Sequence, residues 1–324
     1  MAQEAKAVSK VQLYLVGSVF ALSIGFAFFG IKQCVPYADT LTILTYRFLS
    51  AAIAVTLWLA ACKIRGTFPE RRPGRPKGGL YKTAIFYILF MIFQILAMYF
   101  ATSIEGAIVF AMVPIFAKII GRIILGERST PLQMVFVVIT VVALIVLVIL
   151  NATSIELNVT GMIIMTVSSI FMGFQNVSAR YIRGVFAPIE ITAAISYLGT
   201  AVFVIASLVR GVAGGDFTFL IEPVTHPWFV IWASYLGVFC ILLSAQFMSY
   251  MLAHMEIIQS TGFSTASTLV SIVAGAVILG EPLRWYHFVC GIVIMGGVIG
   301  LMTAPTKKEN AGKSLGDEIA GGQK

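Results

Sequence analysis

Apolar residues run through this chain in long blocks, interrupted at short intervals by a few polar or charged positions. Ten blocks approach the roughly 20 apolar residues that a helix needs to cross a bilayer. They fall at about 11–33, 40–62, 81–101, 106–126 and 131–150, then at about 159–181, 188–210, 227–250, 257–280 and 284–303. The clearest aqueous segment is the 63–80 loop, whose "KIRGTFPERRPGRPKGG" is rich in Gly, Pro and Arg. From Pro305 the tail turns polar and is expected to be disordered.

The blocks repeat. "IILGE" at 123–127 returns as "VILGE" at 277–281, each copy closing the fourth span of a group of five. "SIGFAF" (23–28) in the first span is echoed by "FMGFQN" (171–176) in the sixth. Five spans is an odd number, so equivalent points of the two halves face opposite sides of the membrane. The pattern predicts an all-α integral membrane protein of ten helices, built as two inverted-topology repeats. The expected organisation is an N-terminal segment (1–10), repeats at 11–150 and 151–304, and a tail at 305–324.

Composition agrees with this reading. Of 324 residues, 59% are hydrophobic and 11% charged, and the mean hydropathy is +0.96. A soluble domain carries about 25% charged residues. The net charge of +8 is no sign of nucleic-acid binding, because the basic residues gather in loops that flank apolar spans, most of them on one side. Lys6, Lys10, the cluster from Lys63 to Lys82, Arg122, Arg128, Arg180, Arg183 and the tail lysines share one face, whereas Lys32, Arg210 and Arg284 hold the other. The positive-inside bias then puts both termini in the cytoplasm, within a multi-pass protein of the cell membrane. The first apolar block exceeds twenty residues and lacks a small-residue cleavage site, so it reads as a retained helix rather than a removable signal. Cys34, Cys62, Cys240 and Cys290 lie in or beside apolar runs without CxxC spacing, which reads as inert thiols.

At this point the residues carry a resemblance. "TSIEGAIVFAMVPIFAKIIGRIILGE" (102–127) resembles the fourth-helix signature of EamA-type carriers in the drug/metabolite transporter superfamily, with a mid-helix Pro and a closing LGE. "IIQSTGFSTASTLVSIVAGAVILGE" (257–281) is similar to its second copy, and "TYRFLSAA" (45–52) to the family's Arg-containing second helix. One departure is that Thr268 stands where the repeat would place a counterpart of Pro114. The resemblance implies a substrate cavity lined by spans 1, 3, 4, 6, 8 and 9, and a small organic metabolite as cargo, often moved outward.

Ionisable and polar groups inside spans are the candidates for chemistry, since a charge at mid-membrane costs about 2.5–3.5 kcal/mol by insertion scales. Lys118 lies roughly 12 Å deep, on one face with Pro114 and Arg122. Two readings stand for it: a cationic lining matched to an anionic substrate group, or a side chain reaching toward headgroups. Arg47 reads as a structural residue that holds the bundle together or reaches the interface, with substrate contact as a third reading. In span 9, Gln259, Ser260, Ser264 and Ser267 share a polar stripe with Thr261, Thr265, Thr268 and Ser271, expected to wall a wet cavity or to pack against a helix. Gln94, Tyr99, Gln175, Asn176, Gln246 and Phe263 complete the cavity candidates. Gly126, Glu127, Gly280 and Glu281 read as structural: each glycine ends a helix, and each carboxylate is expected near the amino end of the following one. Glu105 reads as a helix cap, with proton coupling as the alternative. The GxxxG at 296–300 suits close packing, within the bundle or between two copies in a homodimer.

No GxxxxGK[ST] occurs, and His226, His254 and His287 lack metal-ligand spacing, so no cofactor and no metal is expected. The leading reading is a secondary carrier of small organic metabolites, amino acids or related carboxylates, working by alternating access in the lipid bilayer. The alternatives are a membrane enzyme acting on lipids or lipid-linked groups, and a carrier of lipids or sugar phosphates.

Overall fold

The computed structural model describes residues 10–66, 77–125, 130–152, 159–254 and 257–304. Every regular element among them is helical. In the first half, α1 (Lys10–Gly25) and α2 (Ala27–Cys34) form span 1, α3 (Thr40–Ile64) span 2 and α4 (Gly78–Met98) span 3. Span 4 is split into α5 (Ser103–Phe110) and α6 (Val113–Leu125), and α7 (Pro131–Ala152) is span 5.

The second half opens with α8 (Val159–Ile182) and α9 (Pro188–Gly214), spans 6 and 7, followed by the short α10 (Thr218–Val224). Span 8 runs from α11 (Pro227–Gly237) through a π-helical stretch (Val238–Leu243) into α12 (Ser244–His254). α13 (Ile257–Val273), with its own π-helical turn (Ala274–Ile278), is span 9, and α14 (Trp285–Thr303) is span 10. Among the described residues nine stretches are long and apolar enough to cross a membrane, and the shorter apolar helix Gly262–Ile278 takes the place of the expected ninth.

Local chemistry explains where the helices start and break. Pro114 has no N–H to give to the Phe110 carbonyl, and the chain tightens there, with Met112 N–H bonding Val109 and Ile115 N–H bonding Met112. Span 4 begins at Ser103 rather than at 106, because Thr102 and Glu105 form a reciprocal capping box at 3.1 and 2.8 Å. Asp39 caps α3 by accepting from Thr42 N–H at 2.9 Å. Gly280 ends span 9 with φ 65°, a conformation that a side chain would strain.

The helix pairs obey one rule. Exchanging the halves turns span 1 into 6, 2 into 7, 3 into 8, 4 into 9 and 5 into 10. Span 3 packs on span 6 as span 8 packs on span 1, and span 4 on span 6 as span 9 on span 1. The 2–7 and 5–10 pairs map onto themselves. Two five-helix units are therefore related by a pseudo-twofold axis, the inverted repeat expected from the paired LGE strings.

Small residues let these pairs approach. Gly297 and Gly300 of α14 face Thr140 and Phe136 of α7, where an added Cβ would collide with either side chain. Of the GxxxG pair, Gly300 thus serves packing inside the bundle, whereas Gly296 faces open space. The outward side of α7 carries exposed Val135, Val138, Val142, Ile145 and Ile149, the apolar exterior that a bilayer covers.

Candidate functional site

The face of the bundle that follows the odd-numbered spans carries a network of polar contacts. Glu281 lies just past Gly280, and its chain turns back so that Glu281 N–H bonds the Gly275 carbonyl at 3.1 Å. From there the carboxylate crosses to the other half. It accepts Ser103 N–H at 2.8 Å and Ile104 N–H at 3.1 Å, while Thr102 Oγ1 takes Glu105 N–H. The first three donors of α5 are thereby matched, at the end of a helix where negative charge is favoured. Lys32 of α2 feels both the Glu281 and the Glu105 charges. The expected partner for Glu281 was the next helix, α14; the carboxylate instead caps α5 of the opposite repeat.

Around this cap the loops are tied together. Tyr99 donates its hydroxyl to the Ala38 carbonyl at 2.7 Å, and Gln33 accepts from Trp228 Nε1–H at 2.8 Å. Burial and the nearby Asp39 charge push the Tyr99 phenol up to about 12, with the Thr40 hydroxyl opposing them. Tyr99, a cavity candidate from its sequence position, is a latch between the third span and the 35–39 loop. Asp39 makes an ion pair with Arg210, whose guanidinium also sits 4.2 Å from the Phe219 ring centroid.

A second constellation lies inside. On α3 the residues Ile43, Leu44, Arg47, Phe48, Ala51 and Val55 form the buried stripe, so the Arg47 guanidinium enters the core, 1% exposed. Its Nη1–H reaches Gln94 Oε1 of α4 at 3.5 Å, the long limit of a hydrogen bond, and its Nε–H meets no acceptor. The Arg47 charge acts on the thiols of Cys34 and Cys240 and on the Tyr87 hydroxyl, which gathers α2, α3, α4 and the π-helical stretch of span 8 around one cation. Cys240 Sγ–H in turn donates to the Ser23 carbonyl at 3.2 Å, and Tyr235 donates its hydroxyl to the same oxygen at 2.8 Å. Ser23 and Tyr235 line an open groove of about 450 Å³ between α1 and α11, walled otherwise by Val19, Leu22, Phe26, Ile231, Trp232 and Phe239.

The remaining candidates scatter over three helix contacts. Lys118 is half-buried on α6, which packs on α8, the helix of Gln175 and Asn176. Gln175 is buried with its Oε1 unpartnered. Pro114 marks the break above Lys118, and Arg122 turns outward to Met134 Sδ at 3.1 Å. Gln246 Nε2–H donates to Thr192 Oγ1 at 3.4 Å, joining α12 to α9. On α13, Phe263 packs over Gly17 and edge-on to Tyr14, 6.1 Å between centroids.

The polar stripe of span 9 divides. Ser267 gives its hydroxyl to the Ser264 carbonyl at 2.7 Å, and Ser271 bonds the Gly25 carbonyl at 2.5 Å where α1 ends. Ser267 thus bonds within its own helix, and Ser271 ties α13 to the end of α1. Gly126, Glu127 and the side chains of Gln259 and Ser260 lie outside the described residues.

The sequence reading passed over Tyr87 and Trp232 and took Cys240 for an inert thiol; each is an apolar-run residue with one polar atom.

Comparison with known proteins agrees with this architecture. Uncharacterized transporter YcxC of Bacillus subtilis is 29% identical over 89% of this chain and 91% of its own length. An uncharacterized transporter of Archaeoglobus fulgidus is 26% identical over 86% of this chain and 95% of its own. A solved crystal structure at 14% identity covers 93% of this chain and 100% of its own with a TM-score of 0.56, a likeness of fold. The sequence pattern of the EamA-like transporter family matches twice, over residues 12–149 and 159–303, one match for each five-helix unit. This multi-pass chain of two inverted repeats therefore belongs to the EamA-like transporter family, within the drug/metabolite transporter superfamily.

Proposed function

We propose that the protein is a secondary carrier that moves a small organic metabolite across the membrane by alternating access, in the direction of export. The observation that carries this reading is the exchange of partners between halves. Spans 1 and 6 each pack on two helices of the opposite repeat, so a rocking of one unit against the other would open and close a passage between them. The polar latches at Glu281, Tyr99 and Gln33 all lie on one face, which supports a conformation closed on that side. With both termini cytoplasmic, that side is the outer one.

Carboxylate-bearing metabolites, amino acids among them, are the preferred cargo, since the ionisable groups buried within spans include Arg47 and the half-buried Lys118. The experiment is uptake of labelled amino acids and small organic acids into liposomes holding the purified protein, against protein-free liposomes. Saturable uptake of one compound supports the reading. Uptake that never saturates, or that matches the empty vesicles for every compound, contradicts it.

A further inference from the structure

We propose that Arg47, oriented by Gln94, takes the carboxylate of a singly charged organic substrate; this deepens the carrier reading above and rests on it. The guanidinium offers five N–H donors in a planar fork. It is 1% exposed; among the described residues its one acceptor is Gln94 Oε1 at 3.5 Å, and its Nε–H has none. Among the described residues no carboxylate reaches it. Its charge reaches the Cys34 and Cys240 thiols and the Tyr87 hydroxyl. A cation held inside a lipid-immersed bundle with no counter-ion among the described residues points to function, and an acceptor is the partner that its unmatched Nε–H would take.

The surroundings set the charge of that partner. Ile31, Leu44, Phe48, Met91 and Leu236 share the same apolar core, so any net charge left after binding would stand in a poorly polarisable medium. One guanidinium neutralises one negative charge. A carboxylate matches its fork with two parallel bonds, and the Tyr87 hydroxyl is a further donor. A phosphate dianion would remain half-compensated, which argues against phosphorylated substrates.

Access also has a basis in the geometry. The groove between α1 and α11 ends against Ser23, whose carbonyl holds the Cys240 thiol. Cys240 belongs to the π-helical stretch Val238–Leu243, an irregular turn of the kind frequent at functional sites. In the groove wall the Trp232 Nε1–H is a second buried donor without an acceptor.

The test uses the purified full-length protein and pairs of probes that differ in charge at one group. Small monocarboxylates are paired with their amides, benzoate with benzamide and lactate with lactamide, and inorganic phosphate is added alone; the unfolding temperature is followed. The expected result is a carboxylate that raises the unfolding temperature while its amide and phosphate do not. Arg47→Gln should abolish this discrimination, and Arg47→Lys should weaken binding about tenfold, keeping charge but losing the fork. Should Arg47→Gln not fold, Gln94→Leu retains the cation, removes the orienting amide and should also weaken binding about tenfold.

Failure of the wild type to separate any carboxylate from its amide would overturn the site. So would discrimination that survives Arg47→Gln, unchanged binding in Gln94→Leu, or phosphate binding as tight as that of the best carboxylate. The two readings fail separately: wild-type liposomes carrying a neutral metabolite without carboxylate discrimination remove the anion site alone. Carboxylate discrimination without any transport removes the carrier alone.

Discussion

Glu281 and Ser103 stand 178 positions apart in the chain, yet the carboxylate of one accepts the backbone N–H of the other at 2.8 Å. With its second oxygen on Ile104 N–H, Glu281 ties the end of span 9 to the beginning of span 4. A helix break thus becomes a joint between the two repeats. Gly275 leaves room for the carboxylate, and Gly280 turns the chain so that it can reach across.

Replacing Glu281 by Gln keeps one acceptor and removes the charge that the amino end of α5 favours. The expected loss is about 1–2 kcal/mol of stability, and Glu281→Ala should lose more. Thermal or denaturant unfolding of the purified variants measures it. Equal stability of wild type and both variants would show that the joint carries no weight.

Glu105 makes the opposite prediction. Its role in the capping box with Thr102 is one that Gln also fills, so Glu105→Gln should change stability by less than about 0.5 kcal/mol. Its transport should keep the wild-type dependence on pH. A flattened pH profile would instead identify Glu105 as a proton-coupling group.

Two glycines separate close approach from mere composition. A Cβ at Gly237 would strike the Arg47 carbonyl oxygen and the Ala51 nitrogen, which are backbone and cannot yield, whereas Gly296 has open space. Gly237→Ala should therefore destabilise by about 1–3 kcal/mol or more by forcing α11 off α3. Gly296→Ala should be neutral or gain up to roughly 1 kcal/mol from helix propensity. Equal effects of the two would contradict the packing described.

The Asp39–Arg210 pair predicts a response to acid. Burial raises the Asp39 carboxyl, but the Thr42 hydrogen bonds and Arg210 outweigh it and hold the group below the usual carboxylate value. Its contribution is present above the unfolded value of about 3.9 and is lost as pH falls through the lower folded value. Both side chains are partly exposed, 48% for Arg210 and 42% for Asp39, so solvent screening limits the pair to below about 1 kcal/mol. Asp39→Asn, which still caps α3, should be nearly as stable as wild type at neutral pH and lose less stability on acidification. Parallel acid profiles for the two proteins would refute this.

Much of the fold is legible in the sequence for a simple reason. Crossing a bilayer demands long apolar helices, and odd repeats of them invert, so span number and the paired LGE strings lead directly to the architecture. Span 4 shows the same directness, since Pro114 breaks it and the Thr102–Glu105 box starts it. The interior is harder to read. Where lipid and core are both apolar, hydrophobic periodicity does not say which face of α3 turns inward, so Arg47 could be placed in a span but not at its centre. The partner of Glu281 lies in the other half, beyond any local pattern. Ser267 and Ser271 show the limit from the other side: a polar stripe looks alike whether its hydroxyls meet water or a neighbouring backbone.

The carrier reading is tested most directly by exchange. Liposomes holding the purified protein are preloaded with an unlabelled compound found to be taken up, and entry of the labelled compound is timed against unloaded liposomes. Alternating access predicts faster initial entry into the preloaded vesicles, because a loaded carrier returns its site to the outer side with cargo aboard. Entry at equal rates that also grows in proportion to concentration without saturating would contradict it and would describe an open pore.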